Sequence, residues 1–359
     1  MKMKGDKSMK KHFFRIVLSL LVILTAFVAP SLASEAPIQP GGPFINPNQN
    51  VSTESILTFE QIEAILFQLQ ARSKGQMQLR TVGHSTLGLP LYAAVIGNGD
   101  LRMWIQGRIH GGERFGAEAS LSILTSLLNS KQKILEEMTF MIIPCYNPDG
   151  SNIGWRGNVN GVDLNRNWYR TDAFSFSEVE SRAFYYAWAD FKPHYAIDLH
   201  HQGTYFVEDE EGNDTNKMTT FSIGIPVWPE FLDPWVWDTN RQMAVVGYDA
   251  VKKLGYCNPS RYPLINIHNA VVSSMMLNNP GPLGEDAEWV TAAMFFENRG
   301  VGQKSRGYII QQMVVGVSTI IDAIASGELD SVDPERWDEI PDSGSTIRTS
   351  DKWPNDWAE

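Results

Sequence analysis

A chain of 359 residues, 43% of them hydrophobic and 20% charged, is long enough to bury a substantial core and too apolar to stay unfolded. Its formal net charge of -11 argues against nucleic acid as a partner, because phosphate binding needs a basic face. A peptide ligand is not excluded, since local charges steer a small molecule whatever the total.

The chain starts with a basic stretch (Lys2, Lys4, Lys7, Lys10, Lys11) and an apolar run from about Ile16 to Val28. Ser31 and Ala33 follow at a spacing that suits a signal-peptidase cut after Ala33. Residues 1–33 therefore read as a signal peptide, and the protein as secreted or extracytoplasmic. The competing reading is an uncleaved anchor, although a run of roughly 13 apolar residues is short for a bilayer span of about 20. No later stretch reads as long and apolar enough to span a membrane, so no stable span is expected after signal removal.

Residues 34–55 are rich in Pro, Asn and Gly without periodicity, and read as a linker or short leader. Folding is expected from about Leu57. Phe59, Ile62, Ile65, Leu66 and Leu69 recur with a helical period. MWIQGRI then reads as a buried strand, AEASLSILTSLLNS as an amphipathic helix and TFMIIPCY as a strand. SEVESRAFYYAWADF reads as a helix, HYAIDLH and TAAMFFEN as strands, and GYIIQQMVVGVSTIIDAIA as a long closing helix. Such alternation predicts an α/β domain with a mostly parallel sheet. Cys145 and Cys257 could be joined in one disulfide or stay free thiols, and spacing does not decide between them.

His110-Gly-Gly-Glu113 stands where a buried strand gives way to a helix. Hydrolytic zinc sites take three protein ligands from His and carboxylate and keep one position open. A His and a Glu three residues apart on a tight turn can reach one ion, with Gly111 and Gly112 letting the backbone fold closely beneath it. His200 ends the strand HYAIDLH and comes to the same C-terminal sheet edge, where open α/β sheets bind ligands. An extended backbone cannot turn both His200 and His201 toward one ion, and the strand alternation favours His200. His12, His84, His194 and His268 have no such placement.

HGGE is followed in order by NPDG, WRGN, GVDLNRNW, a strand ending in His, and FFEN. From about residue 57 to 326 this series resembles the zinc metallocarboxypeptidases, the carboxypeptidase A/B-like peptidases. The resemblance implies a single α/β domain, a mixed twisted sheet of about eight strands with helices on both faces. The catalytic domain would span 56–326 and an acidic C-terminal tail 327–359. It further implies one Zn2+ per chain on His110, Glu113 and His200, the ligand set of that family. Asn165 and Arg166 correspond to the pair that binds the free C-terminal carboxylate of a peptide, as suits a planar guanidinium. Arg156 corresponds to the group that steadies the oxyanion, Asp163 to a carboxylate that orients His110, and Glu297 to the general base.

The chain departs from the digestive members in carrying His201-Gln202-Gly203 where they have a Ser-Tyr pair. Tyr248, Tyr256 and Tyr262 all remain candidates for their capping tyrosine. Glu285 and Asp286, in the reshaped NNPGPLGEDAEW segment, would favour a basic terminal residue or face solvent. A related amidase trimming cell-wall peptides and an inactive binding module are the rival readings. In a further alternative, Arg166 is a structural ion-pair partner of Asp149 or Glu180.

Overall fold

The computed structural model describes residues 56–113, 115–168, 177–203, 205–263, 269–277, 290–299 and 306–344. The signal and linker segments, His12, His268, Glu285 and Asp286 lie outside the described residues.

Helix α1 (Phe59–Arg72) starts at Thr58, whose side chain and that of Gln61 cap each other's backbone in a reciprocal box. Its buried residues Phe59, Ile62, Leu66 and Leu69 are the helical stripe of the sequence. Strands β1 (Met77–His84) and β2 (Pro90–Gly97) form an antiparallel hairpin, which the sequence reading missed. A register irregularity between Thr81 and Gly83 breaks the clean alternation that would have signalled it. Strand β3 (Leu101–Gly107) leads to α2 (Phe115–Ser130), the short α3 (Gln132–Glu137), β4 (Met138–Ile143) and α4 (Pro148–Ile153). Then follow α5 (Val179–Phe191), β5 (Tyr195–Gln202) and a small pair, β6 (Phe206–Glu208) with β7 (Asp214–Met218). Strand β8 (Phe221–Gly224), α6 (Pro234–Lys252), β9 (Pro259–Arg261), α7 (Val271–Met276), β10 (Ala292–Arg299) and α8 (Arg306–Ser326) complete the order.

Among the described residues the main sheet has eight strands in the order β1-β2-β4-β3-β5-β10-β8-β9. The middle four, β4-β3-β5-β10, are parallel, and antiparallel pairings attach β2 on one side and β8 on the other. The sheet is thus mixed rather than mostly parallel. Helices cover both faces, as strand alternation along β3 shows. Trp104 points to α5, meeting Phe184 edge-on at 6.5 Å. Gly107, of opposite parity, lies so close to Gly116 of α2 that a Cβ would collide with its backbone.

One expectation needs correction. By length and composition Gly307–Ser326 is apolar enough to cross a membrane, contrary to the sequence reading, and 56% of that stretch is buried within the protein. It packs on α2, α6 and β10. The acidic stretch after 326 is packed as far as it is described. Two short turns of helix, Glu328–Ser331 and Pro334–Glu339, lie on α6 and α8, and Leu329, Trp337 and Ile340 are buried in the common core.

Candidate active site

Parallel pairing sets Gly107 of β3 beside Leu199 of β5, so the two strands reach the same sheet edge together. Strand β3 stops there, two residues short of the end of the expected MWIQGRI run, because Arg108 adopts a left-handed backbone with φ 55°. Its guanidinium is fully buried against Glu118 at 2.7 Å and donates to the Leu57 carbonyl and the Ser151 hydroxyl. The turn that follows lies on α4 and the loop after it. Gly112 N donates to Trp155 O at 2.9 Å, and a Cβ at Gly111 would collide with the backbone of Gly150 and Ser151.

This turn brings His110 and Glu113 against His200. His110 Nδ1 is 2.8 Å from Glu113 Oε1, His200 Nδ1 is 2.9 Å from Glu113 Oε2, and the two Nδ1 atoms are 3.2 Å apart. All three residues are buried and could hold a metal ion, with one donor atom from each inside a 4.8 Å span. His201 turns away, its ring edge-on to Phe115 at 5.3 Å, while its backbone N–H donates to Glu113 Oε2. Each imidazole has a carboxylate behind its other nitrogen. Asp163 Oδ1 lies 3.2 Å from His110 Nε2, and Asp198 Oδ2 lies 2.9 Å from His200 Nε2. Asp198 escaped the sequence reading, although a carboxylate two residues before His200 shares its strand face.

Asp163 also accepts from Arg156 Nε at 3.1 Å, and the half-exposed Arg156 places Nη1 3.6 Å from Glu113 Oε1. Asn165 accepts from Val271 N through its side-chain oxygen, and Arg166 donates to the Asn165 carbonyl. Arg156, Asn165 and Arg166 line one cleft with the three candidate ligands. Asp149 and Glu180, the alternative partners of Arg166, point elsewhere. Asp149 accepts from Ser85 and the Leu87 backbone, and Glu180 from Thr86.

Glu297 enters from β10, directly opposite His200 in the parallel register, half-buried in the cleft wall. Of the candidate tyrosines, Tyr262 lines the cleft, joined by Tyr205, which the sequence reading did not single out. Their rings meet edge-on at 5.9 Å. Tyr248 instead accepts from Lys252 on α6, and Tyr256 packs on Tyr308.

The charges are interlocked. Burial alone would raise the Glu113 carboxyl, but His110 and His200 hold it well below its usual range. Burial alone would lower His200, and Asp198 with Glu113 reverse this and push it well above a normal imidazole. Glu297 is raised to about 7, first by loss of water and then by the Glu113 charge, against the opposing His200. Cys145 and Cys257 are free thiols, and burial pushes Cys145 up to about 11.

Residues 62–209 match the family model described as zinc carboxypeptidase, Peptidase_M14. That span contains His110, Glu113, Arg156, Asp163, Asn165, Arg166 and His200, but not Glu297 or Tyr262. Probable carboxypeptidase 2 of Trichophyton verrucosum is 34% identical over 103 residues, which are 28% of this chain and 19% of that protein. Carboxypeptidase SOL1 of Arabidopsis thaliana is 29% identical over 126 residues, 32% of this chain and 26% of that protein. The chain thus spans only about a fifth to a quarter of the length of these curated relatives. Among solved structures, carboxypeptidase A from Helicoverpa armigera superposes with a TM-score of 0.59 at 16% identity, over 89% of this chain and 87% of that one. Metallo-carboxypeptidase from Burkholderia cenocepacia gives a TM-score of 0.55 at 17% identity, over 76% of this chain and 70% of that one. At such identities the superpositions speak for the fold alone, and it is the segment 62–209 that is similar to the zinc carboxypeptidase family.

Proposed function

We propose that the protein is an exported zinc-dependent carboxypeptidase that hydrolyses the peptide bond next to a free C-terminal carboxylate. The observation that carries this reading is the convergence of His110 Nδ1, His200 Nδ1 and the Glu113 carboxylate, with Glu297 facing them from the next strand. The donor set suits the ion: two imidazoles and a carboxylate, each imidazole backed by an aspartate. His110, Glu113 and His200 would hold one zinc, whose chemistry is to polarise the scissile carbonyl and acidify water. Export rests on the leader pattern of residues 1–33, and a 34–55 linker precedes the catalytic domain.

Glu297 takes the proton of the attacking water and returns it to the departing amine. Its carboxyl, raised to about 7, suits a base working near neutral pH. Arg156, tethered by Asp163 and half open to the cleft, presents its guanidinium to the charge that grows on the carbonyl oxygen. Arg166, with Asn165, holds the terminal carboxylate and so selects the last peptide bond.

The test is cleavage of a peptide and its C-terminally amidated twin, read by mass spectrometry. Removing one partner of a desolvated ion pair costs on the order of 2–5 kcal/mol, or roughly 30- to several-thousand-fold in rate. The amidated peptide is expected to be slower by that factor, and Arg166→Ala to lose most of the discrimination. Equal rates on both peptides would remove the exopeptidase reading.

A further inference from the structure

The cleft tyrosines Tyr205 and Tyr262 come from separate loops, one leading into β6 and the other leaving β9. What joins those loops is the segment Pro341–Gly344, far along the chain. On one side it pairs with β6: Glu208 N donates to Asp342 O at 2.9 Å and Gly344 N to Phe206 O at 2.8 Å. On the other side it pairs with β9: Arg261 N donates to Pro341 O at 2.8 Å and Ser343 N to Arg261 O at 3.2 Å. Phe206 directly follows Tyr205, and Arg261 directly precedes Tyr262. Beneath the segment, the buried hydroxyls of Ser343, Ser260 and Thr219 bond to one another at 2.6–3.3 Å, and Thr219 N donates to the Tyr205 carbonyl. Arg261 clasps Asp342 at 2.6 Å and lies over the Trp337 ring at 5.6 Å.

We propose that Pro341–Gly344 is a strap that positions Tyr205 and Tyr262 at the catalytic cleft, so that the acidic C-terminal stretch is part of the substrate-binding machinery. A segment pairing with both loops fixes their separation, at which the two rings meet edge-on. Neither the strap nor its hydroxyl cluster touches His110, Glu113 or His200, so its loss should spare the metal site.

The kinetic half of this inference rests on the carboxypeptidase reading, and the experiment separates the two. The full chain is compared with Ser343→Ala, with a deletion of residues 342–359, and with both changes placed on a Tyr205→Phe/Tyr262→Phe background. Hydrogen exchange, which needs no substrate, should rise at Tyr205–Glu208 and Ser260–Tyr262 in the deletion while 196–199 stay protected. Zinc content should be unchanged. The kcat/KM for a free-acid peptide should fall roughly 3- to 30-fold, mainly through KM, with no further fall on the double-Phe background. If the deletion does not fold, Ser343→Ala carries the same comparison with a smaller fall. Unchanged exchange in both loops, or losses that multiply with those of the tyrosine changes, would overturn the strap. Absence of peptide cleavage by the wild type would overturn the function, while the exchange result would still decide the strap.

Discussion

Asp198→Asn probes the residue that stands behind His200. Its carboxylate is fully buried, 2.9 Å from His200 Nε2, with no other hydrogen-bond partner among the described residues. Asparagine keeps the volume, so the loss is that of a negative charge and a strong acceptor. Outer carboxylates of this kind are worth about 10- to 100-fold in metal affinity, or roughly 1.4–2.8 kcal/mol. The upper part of that range is expected here, because water screens a fully buried charge little. Asp163→Asn should cost less, since Asp163 is 27% exposed and shares its charge with Arg156. In the metal-free site Asp198 and Glu113 outweigh burial and favour the protonated form of His200, and zinc competes with that proton. Asp198→Asn also loosens that proton. The affinity loss is therefore fullest in alkaline solution, where proton competition is absent, and partly offset near neutrality. Competition with a chromophoric chelator across pH measures it, and thermal unfolding of the metal-free proteins controls for folding. A folded Asp198→Asn that binds zinc like wild type in alkaline solution, or that suffers less than Asp163→Asn, would refute the reasoning.

Glu297→Gln should retain zinc and lose roughly 10²- to 10⁴-fold in kcat, measured with metal content on the same sample; full activity would move the base elsewhere. Gly111→Ala drives a methyl into the Gly150–Ser151 backbone, and should lower stability by about 1–3 kcal/mol and weaken zinc binding together, as denaturant titration with and without metal would reveal. Cys145, buried and raised to about 11, should react with a thiol reagent at neutral pH only after denaturation, when both cysteines titrate; a single disulfide would leave none.

How far the site was legible depends on the range of the interaction that builds each part. His110 and Glu113 were readable because a turn of four residues fixes both side chains locally, and Gly111 betrays the close backbone beneath it. His200 over His201 followed from strand alternation, a period of two that needs no partner strand. The same period could have given Asp198. Nothing local could set Glu297 opposite His200, because that depends on the parallel register of β10 on β5 across nearly a hundred intervening residues. The sequence motifs carried Glu297 only through their resemblance to a family, and left three tyrosines in play. Tertiary structure alone put Tyr262 and Tyr205 in the cleft lining and set part of the acidic tail as a strand-like brace between their loops. Hydrophobic period and turn chemistry act over a few residues and are written in the chain. Register, sheet order and the docking of a distant segment depend on which surfaces meet once the whole core is buried.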